Sequence, residues 1–226
     1  MITTRQASGY AGAGSQMYDS ATTSASETTT FEVPSGVYTL TVQMRGAGGA
    51  SRGVNVYSGG GGGGGAYVKA TIPVVPFEVL DLVIGAVGVA STIKRSGTTL
   101  VSCGAGQSCT ADNGVGMPGG TYSTDASVSV ISASNGGTGG NGATGSGSNG
   151  GGGGVGGGAG GGSYNGVGGA GGSGGDFGRG GNPGNGNGGW GALGATGTDS
   201  PGYPGGYTCG ANGGGVGTPG LLKLSW

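Results

Sequence analysis

The glycine-rich stretch from residue 135 to residue 220 constrains this chain most, because 44 of its 86 residues are glycine. Sequence of this kind is usually flexible or disordered, since glycine loses the most backbone entropy on folding and buries no side chain. The spacing of the other residues favours a folded structure instead. Non-glycine residues recur at every third position, and most of the residues between them are glycine. These residues are Val167, Ala170, Ser173, Asp176, Arg179, Asn182 and Asn185.

Polyproline II is the regular backbone with three residues per turn that leaves its amides free to bond to neighbours. A Gly-Gly-X phase gives such a rod two bare faces, through which rods can approach and exchange N–H to C=O bonds. A collagen triple helix fits poorly, since it needs strict Gly-X-Y and abundant proline, and this chain has 8 prolines in 226 residues. We therefore predict a bundle of packed polyproline II helices over 135–220, with disorder as the alternative.

Composition restricts the partners of the chain. With 8 basic residues, 9 acidic residues and no histidine, it lacks the basic patch that a nucleic acid or an anionic membrane normally requires. No apolar run reaches the 18 residues that would predict insertion into a membrane. The first twenty residues lack the apolar region of a signal peptide, so we expect synthesis in a cytosol and release by lysis or another route.

Alternating apolar and polar residues predict strands before the glycine-rich stretch. Tyr38, Leu40, Val42 and Met44 share one face of the first clear strand, and further strands are predicted at AYVKATIPV (66–74), VLDLVIG (79–85), 91–102 as a hairpin, and SVSVIS (127–132). The closing LLKLSW can be stable only by returning to this sheet. No pattern of period 3.6 predicts a helix.

The expected fold is therefore all-β. Residues 31–134 and 221–226 form a small antiparallel β-sandwich, of jelly-roll or TNF-like type, and 135–220 form a large insertion of glycine-rich rods. Residues 1–30, rich in Ser, Thr, Ala and Gly, are predicted to be an extended arm.

Catalytic chemistry is not expected. The absence of histidine removes the usual triads and histidine metal sites. Glu78 and Asp81 would point to opposite faces of a strand, and no Gly-x-Gly-x-x-Gly string precedes a convincing helix. We predict no enzyme activity, no cofactor and no metal. Cys103 and Cys109 could close a small loop if oxidised, with ordinary free cysteines as the alternative.

Large side chains where glycine prevails are the candidate recognition residues. Four aromatic residues recur at 13-residue intervals, and two further candidates lie close by. The aromatic residues are Tyr164, Phe177, Trp190 and Tyr203, and the others are Arg179 and Tyr207. Either these side chains cap rod ends and shield backbone bonds, or the bundle displays them in loops, where aromatic and polar side chains dominate recognition.

The order TFEVPSGVYTLTVQMRGAGG (30–49), SGGGGGGGAYV (58–68), a glycine-rich body and a short closing strand resembles the glycine-rich domain of bacteriophage tail-fibre and spike proteins. The resemblance covers roughly residues 30–226. It implies a protein of the virion surface that binds a host-cell glycan or outer-membrane protein. It also implies that the arm, with Tyr10, Met17 and Tyr18, attaches to other virion proteins, and a homotrimer is possible.

Two other functions remain open. The chain could be a structural decoration or vertex protein of the virion that never touches a receptor. It could also bind ice, since flat polyproline II bundles can present regular surfaces, although its mixed decorated positions fit poorly.

Overall fold

A computed structural model describes residues 5–7, 13–19, 25–51, 59–109, 115–142, 169–170, 185–186, 189–190 and 217–226. Thirteen strands lie in these ranges: β1 Arg5–Ala7, β2 Ser15–Asp19, β3 Glu27–Glu32, β4 Thr39–Arg45, β5 Tyr67–Pro73, β6 Val79–Ile84, β7 Ser91–Arg95, β8 Thr98–Cys103, β9 Tyr122–Thr124, β10 Ser129–Ser134, β11 Asn185–Gly186, β12 Gly189–Trp190 and β13 Leu221–Ser225.

Two antiparallel sheets dominate the described residues, which contain no helix. One sheet has the order β1-β2-β13-β4-β5-β10, the other has the order β3-β6-β7-β8-β9, and β11 pairs with β12 separately. The prediction of an all-β chain is confirmed. The closing strand β13 lies between β2 and β4, and its apolar alternation places Leu222 and Leu224 in the core.

A single apolar core joins the two sheets. Leu40, Val42 and Met44 on β4 belong to the same buried cluster as Leu80 and Leu82 on β6. Full burial of such a side chain stabilises a fold by about 1.5–3 kcal/mol relative to exposure. At one edge of this core the rings of Phe31 and Trp226 lie with their centroids 5.4 Å apart, so the last residue of the chain helps to close the sandwich.

The segment that sequence predicted as an arm contributes strands to both sheets. Over residues 15–19 it forms β2, which pairs with β13, and over residues 27–32 it forms β3, which pairs with β6. Tyr18 is only 2% exposed and lies in the core, and Met17 packs on the opposite face of the sheet. The short polar strand β2 is stable because it pairs with the outer edge of β13, which lies far away in the sequence.

The strand registers give the sandwich two different ends. At one end, Arg45, Tyr67, Ser134 and Leu221 lie side by side across one sheet, and glycine-rich segments continue from them. We call this the rod end. At the other end the chain crosses between sheets through 33–38, 74–78 and 125–128 and turns between β7 and β8. We call this the turn end.

Candidate functional site

Six glycine-rich segments continue from the strands at the rod end. We number them rod 1 (46–50), rod 2 (59–66), rod 3 (104–109), rod 4 (115–121), rod 5 (135–140) and rod 6 (217–220). Rods 1 to 4 lie within the range that sequence assigned to the sandwich. Rods 5 and 6 are the two ends of the predicted insertion, whose interior lies almost entirely outside the described residues.

Backbone hydrogen bonds join the rods at every third residue, over donor–acceptor distances of 2.7 to 3.0 Å. The paired donors are Gly46 and Gly49 to rod 2, Gly61 and Gly64 to rod 5, Gly63 and Ala66 to rod 3, Gly104 and Gln107 to rod 4, Gly106 and Cys109 to rod 1, Met117 and Gly120 to rod 2, and Gly136 and Gly139 to rod 4. This step of three is the one that a polyproline II backbone gives. Rod 2 is buried throughout and bonds to four other rods, so it is the axis of the bundle.

Close approach of the backbones explains why these positions are glycine. A Cβ added to Gly63 would overlap the carbonyl oxygen of Pro118, and one added to Gly116 would overlap that of Gly139. The same is true of most other rod glycines, namely Gly46, Gly49, Gly60, Gly62, Gly65, Gly106, Gly119, Gly120, Gly136, Gly139 and Gly217. At these glycine positions the main chains of neighbouring rods touch, and no side chain would fit between them.

Side chains appear on the outward phase of rods 4 and 5. Val115, Pro118 and Thr121 are exposed at every third position of rod 4, and Thr138 is exposed on rod 5. Just beyond rod 5, the side-chain oxygen of Asn141 accepts a hydrogen bond from the Gly116 amide at 2.8 Å. On these two rods the outward phase carries side chains, and Asn141 ties the chain just beyond rod 5 to rod 4.

The residues that sequence proposed for receptor contact lie outside the described residues in five of six cases. Trp190 lies in β12, opposite Asn185 of β11. The others are Tyr164, Phe177, Arg179, Tyr203 and Tyr207. Of the virion-attachment candidates, Tyr10 also lies outside the described residues, and Met17 and Tyr18 lie in β2. The proposed contact residues therefore stay predictions.

The two described cysteines, Cys103 and Cys109, are buried and form no disulfide with each other. Burial raises the pKa of the Cys103 thiol to about 12, and its Sγ donates a hydrogen bond to the Met44 carbonyl at 3.3 Å. No group of three metal-ligating side chains occurs within the described residues. The described part of the chain also contains no apolar helix of membrane-spanning length. The Cys103 thiol has a structural role, because an un-ionised thiol is a poor nucleophile.

The turn end carries the most exposed large apolar side chains of the described residues. Tyr38 and Phe77 are each 66% exposed and Val75 is 61% exposed. The backbones that carry them are neighbours, because the Val74 amide donates to the Tyr38 carbonyl at 3.0 Å. Sequence analysis placed Tyr38 on the buried face of its strand, but β4 begins only at Thr39, so Tyr38 belongs to the turn.

Phe77 occupies a backbone conformation that normally requires glycine. Its φ is +66°, in the left-handed region where a bulky side chain is a genuine outlier. It follows Pro76 in a four-residue turn closed by the Glu78 amide on the Val75 carbonyl at 3.1 Å, and the third position of such a type II turn is usually glycine. The Phe77 amide and the Glu78 carbonyl both bond to Val33 at 2.8 Å, which makes Phe77 the extra residue of a bulge where glycine is again usual.

An ion pair holds this turn. The Arg95 guanidinium contacts the Glu78 carboxylate and donates to the Pro73 carbonyl at 2.6 Å, while the other Glu78 oxygen accepts from the Val75 amide at 3.2 Å. Phe77 was not among the candidate residues predicted from the sequence. The signal available was Val-Pro-Phe-Glu between two predicted strands, with proline where it starts a turn and phenylalanine where glycine is expected.

Comparisons with models of known protein families and with curated proteins found no match to this chain. Function must therefore be inferred from the two ends of the sandwich.

Proposed function

We propose that the chain is a bacteriophage virion protein, a tail fibre or spike component, that attaches to a receptor on the host-cell surface. The observation that carries the proposal is the bundle at the rod end, whose members bond to each other at every third residue without using side chains. Such a bundle is stiff, and the residues that follow its rods could vary in sequence without loss of the scaffold. Stiff scaffolds with variable tip loops suit recognition of changing surfaces.

The receptor would be a glycan or an outer-membrane protein of the host. Aromatic side chains stack on sugar rings and anchor protein interfaces, and the chain offers Tyr164, Phe177, Trp190 and Tyr203 in its glycine-rich part. The near balance of 8 basic and 9 acidic residues favours recognition through such anchors over attraction to an anionic surface.

The experiment that tests this proposal measures binding of the purified, labelled chain to host cells. We expect saturable binding that blocks adsorption of the phage, because soluble chain and virion would compete for one receptor. One of two double variants, Tyr164→Ala with Trp190→Ala or Phe177→Ala with Tyr203→Ala, should lose binding, whereas Tyr38→Ala at the turn end should keep it. Each variant must melt like the parent for the comparison to count.

Binding to assembled virions without binding to cells would instead support the alternative, a decoration or vertex protein. Loss of cell binding by Tyr38→Ala and its retention by both double variants would place recognition at the turn end and contradict this assignment.

A further inference from the structure

We propose that the turn end of the sandwich docks into an apolar pocket of another virion protein, with Phe77 as the anchor and Tyr38 and Val75 beside it. This inference rests on the proposed function and assigns the opposite end of the molecule. It is carried by the conformation, the exposure and the fixation of the Phe77 turn.

The positive φ of Phe77 destabilises the folded chain, and no burial of its side chain offsets this strain. Both the type II turn and the bulge at this position favour glycine, because a Cβ is strained at positive φ. A buried side chain could offset this strain, but Phe77 is 66% exposed. Residues held in strained backbone conformations are concentrated at functional sites. A contact with another protein would therefore explain why this position is phenylalanine and not glycine.

The turn is fixed before any partner arrives. Arg95 and Glu78 bond to each other, to the Pro73 carbonyl and to the Val75 amide, and Val33 bonds to the turn on its other side. Because the backbone is already ordered, binding need not remove its freedom. Preorganisation of this kind increases affinity by lowering the entropic cost of association.

The chemistry of the surface selects a protein partner. Its exposed groups are a phenylalanine, a tyrosine and a valine on protruding turns, and aromatic residues are enriched among the anchors of protein interfaces. The charge of Arg95 at this surface is matched by Glu78, so the anchor turn offers no free basic cluster for phosphate groups. A convex apolar tip is complementary to a concave apolar pocket with a polar rim.

The positions of the rods and the turn end indicate whether the turn end faces the virus particle or the host cell. All six rods continue from the opposite end of the sandwich. If the residues that follow the rods contact the host cell, as proposed, the turn end faces the particle. The N-terminal segment does not provide a free arm over residues 15–19, since these form β2 within the sheet. Among the described residues, the turn end carries the most exposed large apolar side chains, and it lies opposite the rods.

The test is incorporation of a Phe77→Gly variant into phage particles. Glycine relieves the positive φ and removes the anchor, so the variant should melt at or above the temperature of the parent while its amount per purified particle falls by about tenfold or more. The matched control is Ile131→Ala, since Ile131 is 58% exposed on the edge strand β10, and this variant should be incorporated normally. Tyr38→Ala should show a smaller loss than Phe77→Gly.

The outcomes separate this proposal from the proposed function. Particles that carry Phe77→Gly at the parental level overturn the docking site and leave the proposed function standing. Particles that lack even the parent chain overturn the proposed function and the docking site with it. If the variant is incorporated normally but a self-association of the purified parent is lost, the turn end binds a second copy, which also contradicts the proposal.

Discussion

Single residues in this chain show two different reasons for using glycine. Gly36, Gly88 and Gly97 have φ of +78°, +81° and +83° and lie in turns, where glycine adopts a conformation that strains other residues. The rod glycines are required for another reason. One of their Cα–H bonds points at a carbonyl oxygen of a neighbouring rod, a weak contact that recurs wherever backbones pack closely. Space, and not conformation, selects glycine in the bundle.

Replacing Gly63 with alanine tests this explanation. Its Cβ would overlap the Pro118 carbonyl oxygen, and the rods cannot separate without losing their hydrogen bonds. We expect the free energy of unfolding to fall by about 1–3 kcal/mol or more, as for overpacking of a dense interior. The measurement is the midpoint of urea unfolding.

Thr138→Ala is the matched control, because Thr138 lies on the exposed phase of rod 5. Its effect should stay within about 0.5 kcal/mol. Similar losses at both positions would show that the three-residue phase has no steric meaning.

At the scale of elements, sequence alternation predicted the strands that bury one face. Leu40, Val42 and Met44 are buried as predicted. The hairpin between β7 and β8 turns at Ser96 and Gly97, with φ of +47° and +83°, as the position of the glycine indicated. Strands with weak alternation, such as β2 and β9, were not predicted, because they are stabilised by partners far away in sequence.

Rods 1 to 4 were also not separated from the strand connections by sequence. A glycine run such as 59–65 could form either a flexible linker or a packed rod. Which one forms depends on whether other glycine-rich segments surround the run in the fold. The bulge at Phe77 was missed for a related reason, since proline and phenylalanine alone do not show that Val33 will bond to both residues of the turn.

A second element-level feature is a clasp that holds rod 6 to the sheet. The side chain of Arg45 is 1% exposed and donates from Nη2 to the Thr218 hydroxyl at 2.8 Å and to the Pro219 carbonyl at 3.4 Å. The Ser91 hydroxyl donates to the Arg45 carbonyl and accepts from the Gly85 amide, both at 3.1 Å. Both sheets are thereby joined where the chain returns to β13.

Thr218→Val should weaken this clasp without a change of volume. It removes an acceptor from a buried guanidinium, and an unmade buried hydrogen bond costs about 1–3 kcal/mol. Thermal melting measures the loss. The same change at Thr121, whose side chain is exposed on rod 4, serves as control and should be nearly neutral. A parental melting temperature for Thr218→Val would mean that Arg45 is satisfied by its other contacts alone.

On the scale of the whole molecule, sandwich and bundle are continuous. Each rod begins or ends directly at a strand, and hydrogen bonds pass from the sheet ladders into the rods without a gap, as where Gly46 bonds to Ala66 beside the pair Arg45 and Tyr67. The outward phase of rods 4 and 5 carries Val115, Pro118, Thr121 and Thr138, whose Cβ atoms would obstruct the close approach that a glycine rod needs. This resembles the protection of edge strands against unwanted pairing.

Continuity predicts that the rods and the sandwich unfold together. Amide hydrogen exchange should protect Gly61, Gly63 and Gly64 to within about tenfold of the amides of β4, because these rod amides are buried and bonded and can exchange only through cooperative opening. The amide of Gly36, in an exposed turn, should exchange much faster and marks the range of local opening. Exchange of the rod amides more than about a hundredfold faster than that of the β4 amides would contradict this prediction. It would show that the bundle opens separately from the sandwich and is not held rigidly by it.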